Sequence, residues 1–436
     1  MRHHPEMRKG HVMRISRAVG ATIVGAFALS AAACGSSDSG SGSGSGSDGA
    51  VTITWSMWAG DTAAEEKLRE QMAAAQEVVG DDIVIELATA PWADYFTKLN
   101  ATLSTGDAAC VTAMNGQRMA GYHQAFLPLG PDELATAGIA EDDYNAGALG
   151  VMGYDGTLYG LPYDTATMVL YYNADLFEQA GVALPTNEWT LDEFRSAAET
   201  ITEKTGVKGF AVSLDEFQWL SLPMAYSGLQ PVNEDMELDL TDPDFVEAAT
   251  WYADLVTEAG ASDAPPSASE VSWDANQFTS GSAAMAIDGT WNATTYTSGN
   301  EAFTGGVVRI PAGDSGPYGV ALGSGYGVAA TCEHPEEALQ VLGALSGPEV
   351  QAVVAEQGGY PAQLDSQHLY AEALPAEYAD GITEAFDAAF EGADSQRVVD
   401  AWTQVSEAFP TEIITVYTGQ STMADMLDKL QQRFGD

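Results

Sequence analysis

Basic residues are scarce in this chain of 436 residues. It holds 16 Lys and Arg residues against 63 Asp and Glu residues, a formal net charge of −47 at pH 7. Nucleic-acid binding depends on cationic contacts to phosphates, so this charge balance argues against that class of partner. The same field would repel anionic substrates, which leaves neutral or cationic ligands. A soluble or salt-adapted surface is the simpler reason for most of this acidity.

Cysteine and histidine are also rare. The chain has three cysteines, and after residue 33 its only histidines are His123, His334 and His368. No pair of them has the spacing of metal ligands, and neither a His-Glu-x-x-His nor a Cys-x-x-Cys motif is present. The sequence therefore predicts no metal site and no cofactor.

The N-terminal region has the order of an export signal. A basic stretch precedes an apolar run over 18–29, which is too short to span a bilayer comfortably. Small residues then lead to Cys34, in a pattern similar to a bacterial lipobox, although Ala31 stands where leucine is usual. We predict a lipoprotein signal peptide over 1–33 with Cys34 diacylated; the alternative is an ordinary secreted protein with a stray cysteine.

A flexible segment follows the cysteine. Residues 36–49 are almost entirely serine and glycine, and such a coil of about fifteen residues reaches about 20 Å. We predict that 34–50 tether a globular part to a membrane face. That part begins near Val51 and is long enough for two domains of ordinary size.

Strands and helices alternate at the start of the globular part. Their predicted bounds are strands over 51–55, 82–87 and 109–114 and helices over 62–79 and 92–103. This order predicts a parallel sheet with right-handed crossovers. Ligands bind outside the carboxyl ends of such strands, which places 56–60 and 115–118 at the mouth of a cleft.

The rest of the chain contains more helix. An extended apolar run covers 168–173, and Thr190 to Glu193 form a capping-box pattern. Further strands are predicted over 284–288 and 325–331, and helices continue to about Phe434. The whole chain is therefore predicted to be of the α/β class.

Five local patterns stand in an order that resembles a known family. They are Trp55-x-x-Trp58, Leu103-Ser-Thr-Gly-Asp107, Gly160-Leu-Pro-Tyr163 continuing to Phe177, Phe278 to Trp291, and Gly325-Tyr-Gly-Val-Ala-Ala330 followed by Pro335-Glu-Glu-Ala338. Together they resemble the family 1 extracellular solute-binding proteins of ABC importers, of the maltodextrin-binding type. The resemblance covers nearly all of 51–436. One departure is Ala108-Ala109-Cys110, where the family usually has Ala-Pro-Asp.

The resemblance implies a two-lobe, periplasmic-binding-protein-like fold of type II. Each lobe would be a mostly parallel sheet flanked by helices, and a hinge with several chain crossings, at 167–170 and 323–325, would join the lobes. Lobe 1 would take 51–166 and 325–366, and lobe 2 would take 167–324 and 367–436. The implied function is a monomeric sugar-binding lipoprotein, held at the extracellular face of the cell membrane, that delivers its ligand to ABC permease subunits.

The candidate ligand-binding residues are those suited to a pyranose, which has an apolar face for stacking and hydroxyl groups around its edge. Lobe 1 would contribute Trp58, Gln117, Arg118 and Asp164, with Tyr163 beside it; lobe 2 would contribute Trp219 and Trp291; and Tyr360 would close one edge. Each has an alternative. The three tryptophans could be core residues, Arg118 could be a salt-bridge partner, and Asp164 could cap a helix or turn.

The resemblance also implies a disulfide bond between Cys110 and Cys332. In the sheet order of the family, the strand that follows Cys110 and the strand that precedes Cys332 are antiparallel neighbours, which brings the two cysteines within bridging distance. The alternative is a pair of buried free thiols.

Two enzymatic interpretations compete with binding. Gly313-Asp-Ser-Gly-Pro317 is similar to the nucleophile segment of chymotrypsin-like proteases, but no suitable histidine context accompanies it. A secreted glycoside hydrolase is the stronger rival, because it would also line a cleft with tryptophans and carboxylates. We predict a binding protein rather than an enzyme.

Overall fold

The computed structural model describes residues 49–270, 272–391 and 393–435. Its strands, in chain order, are β1 (Val51–Trp58), β2 (Ile83–Ala90), β3 (Val111–Asn115), β4 (Gly153–Tyr154), β5 (Thr157–Leu158), β6 (Leu161–Pro162), β7 (Met168–Asn173), β8 (Met285–Gly289), β9 (Gly305–Arg309), β10 (Val320–Ala321), β11 (Ser324–Val328) and β12 (Asp394–Ser395).

Helices occupy most of the remaining described chain. They are α1 (Thr62–Val79), α2 (Trp92–Thr105), α3 (Met119–Tyr122), α4 (Pro131–Ala137), α5 (Ala146–Val151), α6 (Ala174–Ala180), α7 (Leu191–Thr205), α8 (Glu216–Ser227), α9 (Pro243–Thr257), α10 (Trp273–Thr279), α11 (Ala293–Tyr296), α12 (Pro335–Ser346), α13 (Pro348–Glu356), α14 (Gln367–Ala373), α15 (Ala376–Phe390), α16 (Trp402–Tyr417) and α17 (Met423–Phe434). Short 3-10 turns at Gly116–Arg118 and Thr290–Asn292 follow β3 and β8 directly.

Several helix ends lie where the sequence predicts them. Asp61 accepts a hydrogen bond from the Ala64 amide and so caps α1. The predicted capping box at α7 is confirmed, since Thr190 and Glu193 bond each other's backbone amides. The predicted strand over 325–331 is shorter in the structure, where β11 ends at Val328.

Lobe 1 is built on a five-stranded sheet in the order β2-β1-β3-β11-β6. The first three strands are parallel, as their β-α-β-α-β order predicts, and β11 returns antiparallel to both β3 and β6. Alternate residues of β1, including the fully buried Trp55, face a core closed by α12 and α13. The parallel half thus brings the carboxyl ends of β1, β2 and β3 to one edge.

Lobe 2 contains a three-stranded sheet in the order β8-β7-β9. Both ladders are antiparallel, so the prediction of a mostly parallel sheet is wrong for this lobe. Both β8 and β9 run opposite to β7, because the chain that leaves β7 through α6 to α10 re-enters the sheet in the reverse direction. Parallel pairing in this lobe is limited among the described residues to the short ladder of β10 with β12 and to isolated bridges, such as those that join Lys208 to Ala283 and Ala211 to Ala286. Helices α7, α8, α9, α16 and α17 contribute to the large core against this sheet.

The chain crosses between the two lobes at three places. Ala166 and Leu322 exchange both backbone hydrogen bonds, with N–O distances of 2.9 and 2.7 Å. The amide of Thr165 also donates to the carbonyl oxygen of Tyr360 on the third crossing, at 3.0 Å. These short, paired segments form a hinge of the multiple-crossing kind, and the two-lobe α/β fold predicted from the sequence is confirmed.

The predicted disulfide bond is also confirmed. Cys110 and Cys332 are bonded, with their Cα atoms 5.0 Å apart and a sequence separation of 222. Cys110 immediately precedes β3, and Cys332 lies four residues after the end of β11. The first residue of β3, Val111, pairs with the last residue of β11, Val328, so the two cysteines lie at the same end of this antiparallel pair. The bond therefore ties together two neighbouring strands of lobe 1.

Cys34, the signal peptide and most of the tether lie outside the described residues. Within the described residues, no single helix has the length and apolar composition needed to cross a membrane; α12 and α13 together would meet those two criteria, as a pair bent by 43°.

Candidate functional site

A cleft of about 590 Å³ lies between the two lobes, next to the hinge. Ala166, Met168, Leu322, Gly323 and Ser324 of the crossing segments line its inner end. The carboxyl ends of β1 and β3 open onto it from lobe 1, and the start of α8 and part of α16 from lobe 2. The cleft thus lies at the sheet edge that the strand order predicts for a ligand site.

The lobe 1 wall carries two tryptophans in edge-to-face contact. The ring of Trp58, at the end of β1, lies 4.9 Å from the ring of Trp92 at the start of α2, with an interplanar angle of 88°. The ring of Tyr95 packs edge-on against that of Trp58, with the two ring centres 5.4 Å apart. Trp92 remains 44% exposed, so the pair offers a supported aromatic surface to the cleft.

Arg118 completes this wall. Its guanidinium carbon lies 4.3 Å from the ring centre of Phe96 and 5.2 Å from that of Trp92, a cation–π arrangement. None of the ion pairs among the described residues includes Arg118. The salt-bridge alternative is therefore not what the structure shows.

Gln117 and Asp164 also line the cleft, and both are held by backbone contacts. Asn115 accepts a hydrogen bond from the Gln117 amide and so begins the turn that carries Gln117 and Arg118. The carboxylate of Asp164 accepts a hydrogen bond from the Ser324 amide at 2.8 Å, across two crossing segments. Burial raises the pKa of Asp164 to about 7, against a smaller lowering by this hydrogen bond.

Trp291 is the aromatic residue of the lobe 2 wall. It follows β8 on the turn Thr290–Asn292 and is 46% exposed at the cleft. The turn is anchored because the buried Asp288 accepts hydrogen bonds from Asn292 at 2.8 Å and Tyr296 at 2.6 Å. The backbone amide of Thr290 also donates to Thr167 of the hinge. These hydrogen bonds fix the turn that carries Trp291, and part of the indole is exposed to the cleft.

Two carboxylates at the start of α8 face the cleft beside Trp291. Burial raises the pKa of Asp215 to about 6 and that of Glu216 to about 7, and in Glu216 Ser406 and Arg118 oppose part of the shift. The Oε2 atom of Glu216 is buried and accepts no hydrogen bond from the described residues. A buried acceptor without a partner is costly, and Ser406 and Trp402 are the neighbouring side chains that help to lower the pKa of Glu216.

Two further carboxylates of lobe 2 are buried and do not line the cleft. Asp274 and Asp288 are 3% and 5% exposed. Burial raises the pKa of Asp274 to about 8 and raises that of Asp288 as well. Together with Asp164, Asp215 and Glu216 they make the cleft region acidic, and Arg118 is the one cation among the residues lining it.

Two predicted site residues do not line the cleft. Trp219 is fully buried in lobe 2, with its ring 5.0 Å from Phe409, so its assignment to the site is wrong. Trp219 lies one helical turn after Glu216 on α8, and its ring packs into the core of lobe 2 instead of the cleft. Tyr360, on the third crossing, instead stacks on Phe390 at 5.3 Å and packs edge-on against Tyr370, and both of these partners belong to lobe 2.

Trp92 and Glu216 are the principal cleft residues that the sequence reasoning missed. Trp92 follows Pro91 directly after β2, so the rule that ligands bind beyond strand ends could have found it. Glu216 follows a buried run that ends at Leu214. No residue pattern marks that run as lying beside β8, because only isolated bridges join them.

The protease-like motif lies away from the cleft. Among the described residues, no group of three or more His, Cys, Asp or Glu side chains is placed to hold a metal ion. Ser315 of the protease-like motif lies in a turn closed by Gly313 and Gly316. That turn borders a separate groove of about 480 Å³ whose lining residues include no histidine.

Comparison with known proteins gives a consistent result. The family model described as bacterial extracellular solute-binding protein matches residues 40–352. A Brucella abortus protein named only as a binding protein is 24% identical over 369 residues, covering 80% of this chain and 85% of its own. The lactose-binding protein of Rhizobium radiobacter is 24% identical over 209 residues, 46% of this chain and 47% of its own.

A solved structure supports the fold independently. An ABC substrate-binding protein from Listeria monocytogenes, in complex with cycloalternan, superimposes with a TM-score of 0.77. It is 24% identical in sequence, and the match covers 88% of this chain and 98% of that protein. At that level of identity the likeness establishes the architecture.

Proposed function

Because this chain belongs to the family of bacterial extracellular solute-binding proteins, we propose that it is the substrate-binding component of an ABC importer for a neutral sugar or oligosaccharide. The observation that carries the proposal is a single cleft with aromatic surfaces on both walls, Trp58 and Trp92 on lobe 1 and Trp291 on lobe 2. Relatives and structural neighbours are named for lactose and cycloalternan, which supports a carbohydrate ligand.

The chemistry of the cleft fits a polyhydroxylated ligand. Indole faces can stack on the apolar faces of sugar rings. Hydroxyl groups at the ring edge can donate to Asp164 and to the unpartnered Oε2 of Glu216, and accept from Gln117 and Arg118. The net charge of −47 of the whole chain disfavours a phosphorylated or carboxylated ligand, which its field would repel.

The proposed mechanism is capture by lobe closure. Groups from both lobes contact one ligand, so a bound sugar stabilises the arrangement in which the two walls approach each other. The paired hinge segments allow this motion while the two sheets stay intact. The closed form would dock on the permease subunits, and no step would involve covalent chemistry.

We also propose the lobe boundaries 51–166 with 325–366 and 167–324 with 367–436, a monomeric state, and attachment to the extracellular face of the membrane through lipidated Cys34. Two lipid signals or chains are needed for stable anchoring, which a diacylated cysteine provides. Palmitate labelling and detergent partitioning test the anchor, and Cys34→Ala should release the protein to the medium. Unchanged membrane association of that variant would contradict the anchor.

The binding function is tested by a thermal-shift panel of lactose, maltose, mannotriose, an arabinan oligosaccharide and sn-glycerol 3-phosphate. A ligand that binds only the folded protein raises its stability by RT ln(1 + [L]/Kd), so at least one neutral saccharide should raise the melting temperature while glycerol phosphate does not. A response to glycerol phosphate alone would overturn the proposed ligand class. Incubation with the same oligosaccharides should yield no new reducing ends; their appearance would favour the glycoside hydrolase instead.

A further inference from the structure

A segment of lobe 2 runs along the boundary with lobe 1 beside the hinge. This strap, residues 393–401, contains β12 and leads directly into α16. Strand β12 pairs parallel with β10, which precedes a crossing segment. The buried side chain of Gln230 bonds the strap twice, donating to the Ser395 carbonyl at 3.1 Å and accepting from the Arg397 amide at 2.9 Å. The strap is thus fixed to lobe 2.

Lobe 1 meets the strap and β10 through glycines. A methyl group at Gly150, in α5, would overlap the Ser395 hydroxyl, and it would lie 3.0 Å from the Cβ atom of Ser395. A methyl group at Gly147, one helical turn earlier, would lie 2.6 Å from that of Ala321 in β10. At Gly121, in α3, it would lie 3.5 Å from the carbonyl oxygen of Asp400. The backbone of lobe 1 therefore rests directly on these segments.

Glycine is unfavourable at helical positions such as Gly147 and Gly150, where alanine is the better helix former. Neither residue has a positive φ, so backbone conformation does not require glycine there. What requires it is the close approach of α5 to Ala321 and Ser395. The absent side chains thus determine the distance between the two lobes at this point.

We propose that the contact between Gly150 and Ser395 is a fulcrum, whose thickness sets how closely the two lobes approach each other. The strap continues into α16, whose Ser406 and Glu407 line the cleft opposite Arg118. A spacer between α5 and the strap would therefore also separate the two walls of the cleft. The proposal rests on the lobe motion of the proposed function, but it concerns residues outside the ligand site.

The test compares variants that add bulk between α5 and the strap with a double variant that restores the original spacing. Gly150→Ala adds the spacer, Ser395→Val adds one from the opposite side, and Gly150→Ala with Ser395→Gly removes the overlap again. Gly381→Ala is the matched control, because Gly381 lies within helix α15 and a methyl group there would meet no atom within 4 Å. Small-angle X-ray scattering of each unliganded protein gives the radius of gyration, and calorimetric titration with lactose, maltose and mannotriose gives affinities.

We expect a larger radius of gyration in Gly150→Ala and in Ser395→Val, and the wild-type value in the double variant and the control. For any of the three sugars that binds wild type, affinity should fall at least about fivefold in Gly150→Ala, since overpacking of this kind is poorly tolerated, and should recover in the double variant. Wild-type scattering and affinity in folded Gly150→Ala, or a change that Ser395→Gly does not reverse, would overturn the fulcrum. If Gly150→Ala does not fold, the radius of gyration and the affinity of Ser395→Val test the fulcrum in its place. If no sugar binds wild type, the proposed ligands are wrong, while the scattering comparison still tests the fulcrum.

Discussion

The indole ring of Trp291 lies flat against the backbone of Gly289, so closely that a methyl group at Gly289 would overlap three of its ring carbons. Gly289 ends β8, and Trp291 is the middle residue of the turn Thr290–Asn292 that follows it at the cleft. The glycine thus provides the space in which the indole of Trp291 lies at the cleft. The lobe 2 wall can therefore be perturbed in two ways, by removing the indole of Trp291 or by adding a side chain at Gly289.

Removing the indole should weaken ligand binding while the fold survives. Loss of a large aromatic anchor from an interface typically costs above about 2 kcal/mol, or more than about thirtyfold in affinity. We expect this loss for Trp291→Ala, with a melting temperature close to wild type because the side chain is half-exposed. Calorimetry with the sugar identified by the thermal-shift panel measures it.

Trp219→Phe provides the control for Trp291→Ala. It changes a fully buried tryptophan of the same lobe, so it should lower stability and leave affinity nearly unchanged. Affinity within about twofold of wild type in Trp291→Ala would show that the indole serves packing only.

Displacing the indole without removing it should have a similar effect. Gly289→Ala keeps the Trp291 side chain in the protein but forces its ring out of its present position. We expect affinity to fall at least about tenfold, together with a change in tryptophan fluorescence of the unliganded protein. Gly381→Ala is the matched control and should change neither. Normal affinity in Gly289→Ala would mean that the orientation of Trp291 is unimportant.

Stability should depend on pH through Asp164. Its pKa rises from an ordinary value of 3.8 to about 7 on folding, so between these values the folded protein holds a proton that the unfolded chain releases. The free energy of unfolding from this group therefore falls as pH rises from about 4 to about 7. Asp215, Glu216 and Asp274 contribute with the same sign, because burial raises their pKa values too.

The variant Asp164→Asn should flatten part of this dependence, since the amide oxygen can still accept from Ser324 and carries no charge. Urea unfolding at pH 4.5 and pH 7.5 measures the effect, and the exposed Asp380→Asn serves as control. Equal pH dependence in wild type and Asp164→Asn would contradict the assignment.

Loss of the disulfide bond should destabilise lobe 1 without affecting the ligand site. A crosslink that closes a loop of more than two hundred residues stabilises the folded state by up to about 5 kcal/mol. Cys110 lies at the start of β3, whereas the cleft meets Asn115 at its other end. We expect Cys110→Ala with Cys332→Ala to unfold at lower denaturant concentration while its affinity stays within about twofold of wild type.

A reducing agent separates this effect from local packing. It should lower the stability of the wild-type protein toward that of the double variant and leave the double variant unchanged. A wild-type unfolding midpoint that is insensitive to reduction would mean that the bond adds nothing to stability.

The sequence was sufficient for those features that depend on local chemistry or on the order of elements. The cap at Thr190, the parallel strands β1 to β3 and the cleft position of Trp58, Gln117, Arg118 and Asp164 follow from capping residues, strand order and the ends of strands. Trp291 could be recognised in the same way, as an aromatic residue directly after β8.

Only the tertiary structure decided which side of each helix faces the cleft and how the strands of lobe 2 pair. Glu216 and Trp219 lie three residues apart on α8, yet one lines the cleft and the other is buried against Phe409. The antiparallel sheet of lobe 2 and the approach of Gly150 to Ser395 join segments more than a hundred residues apart. Such contacts depend on how whole elements pack against each other, and no local residue pattern determines that packing.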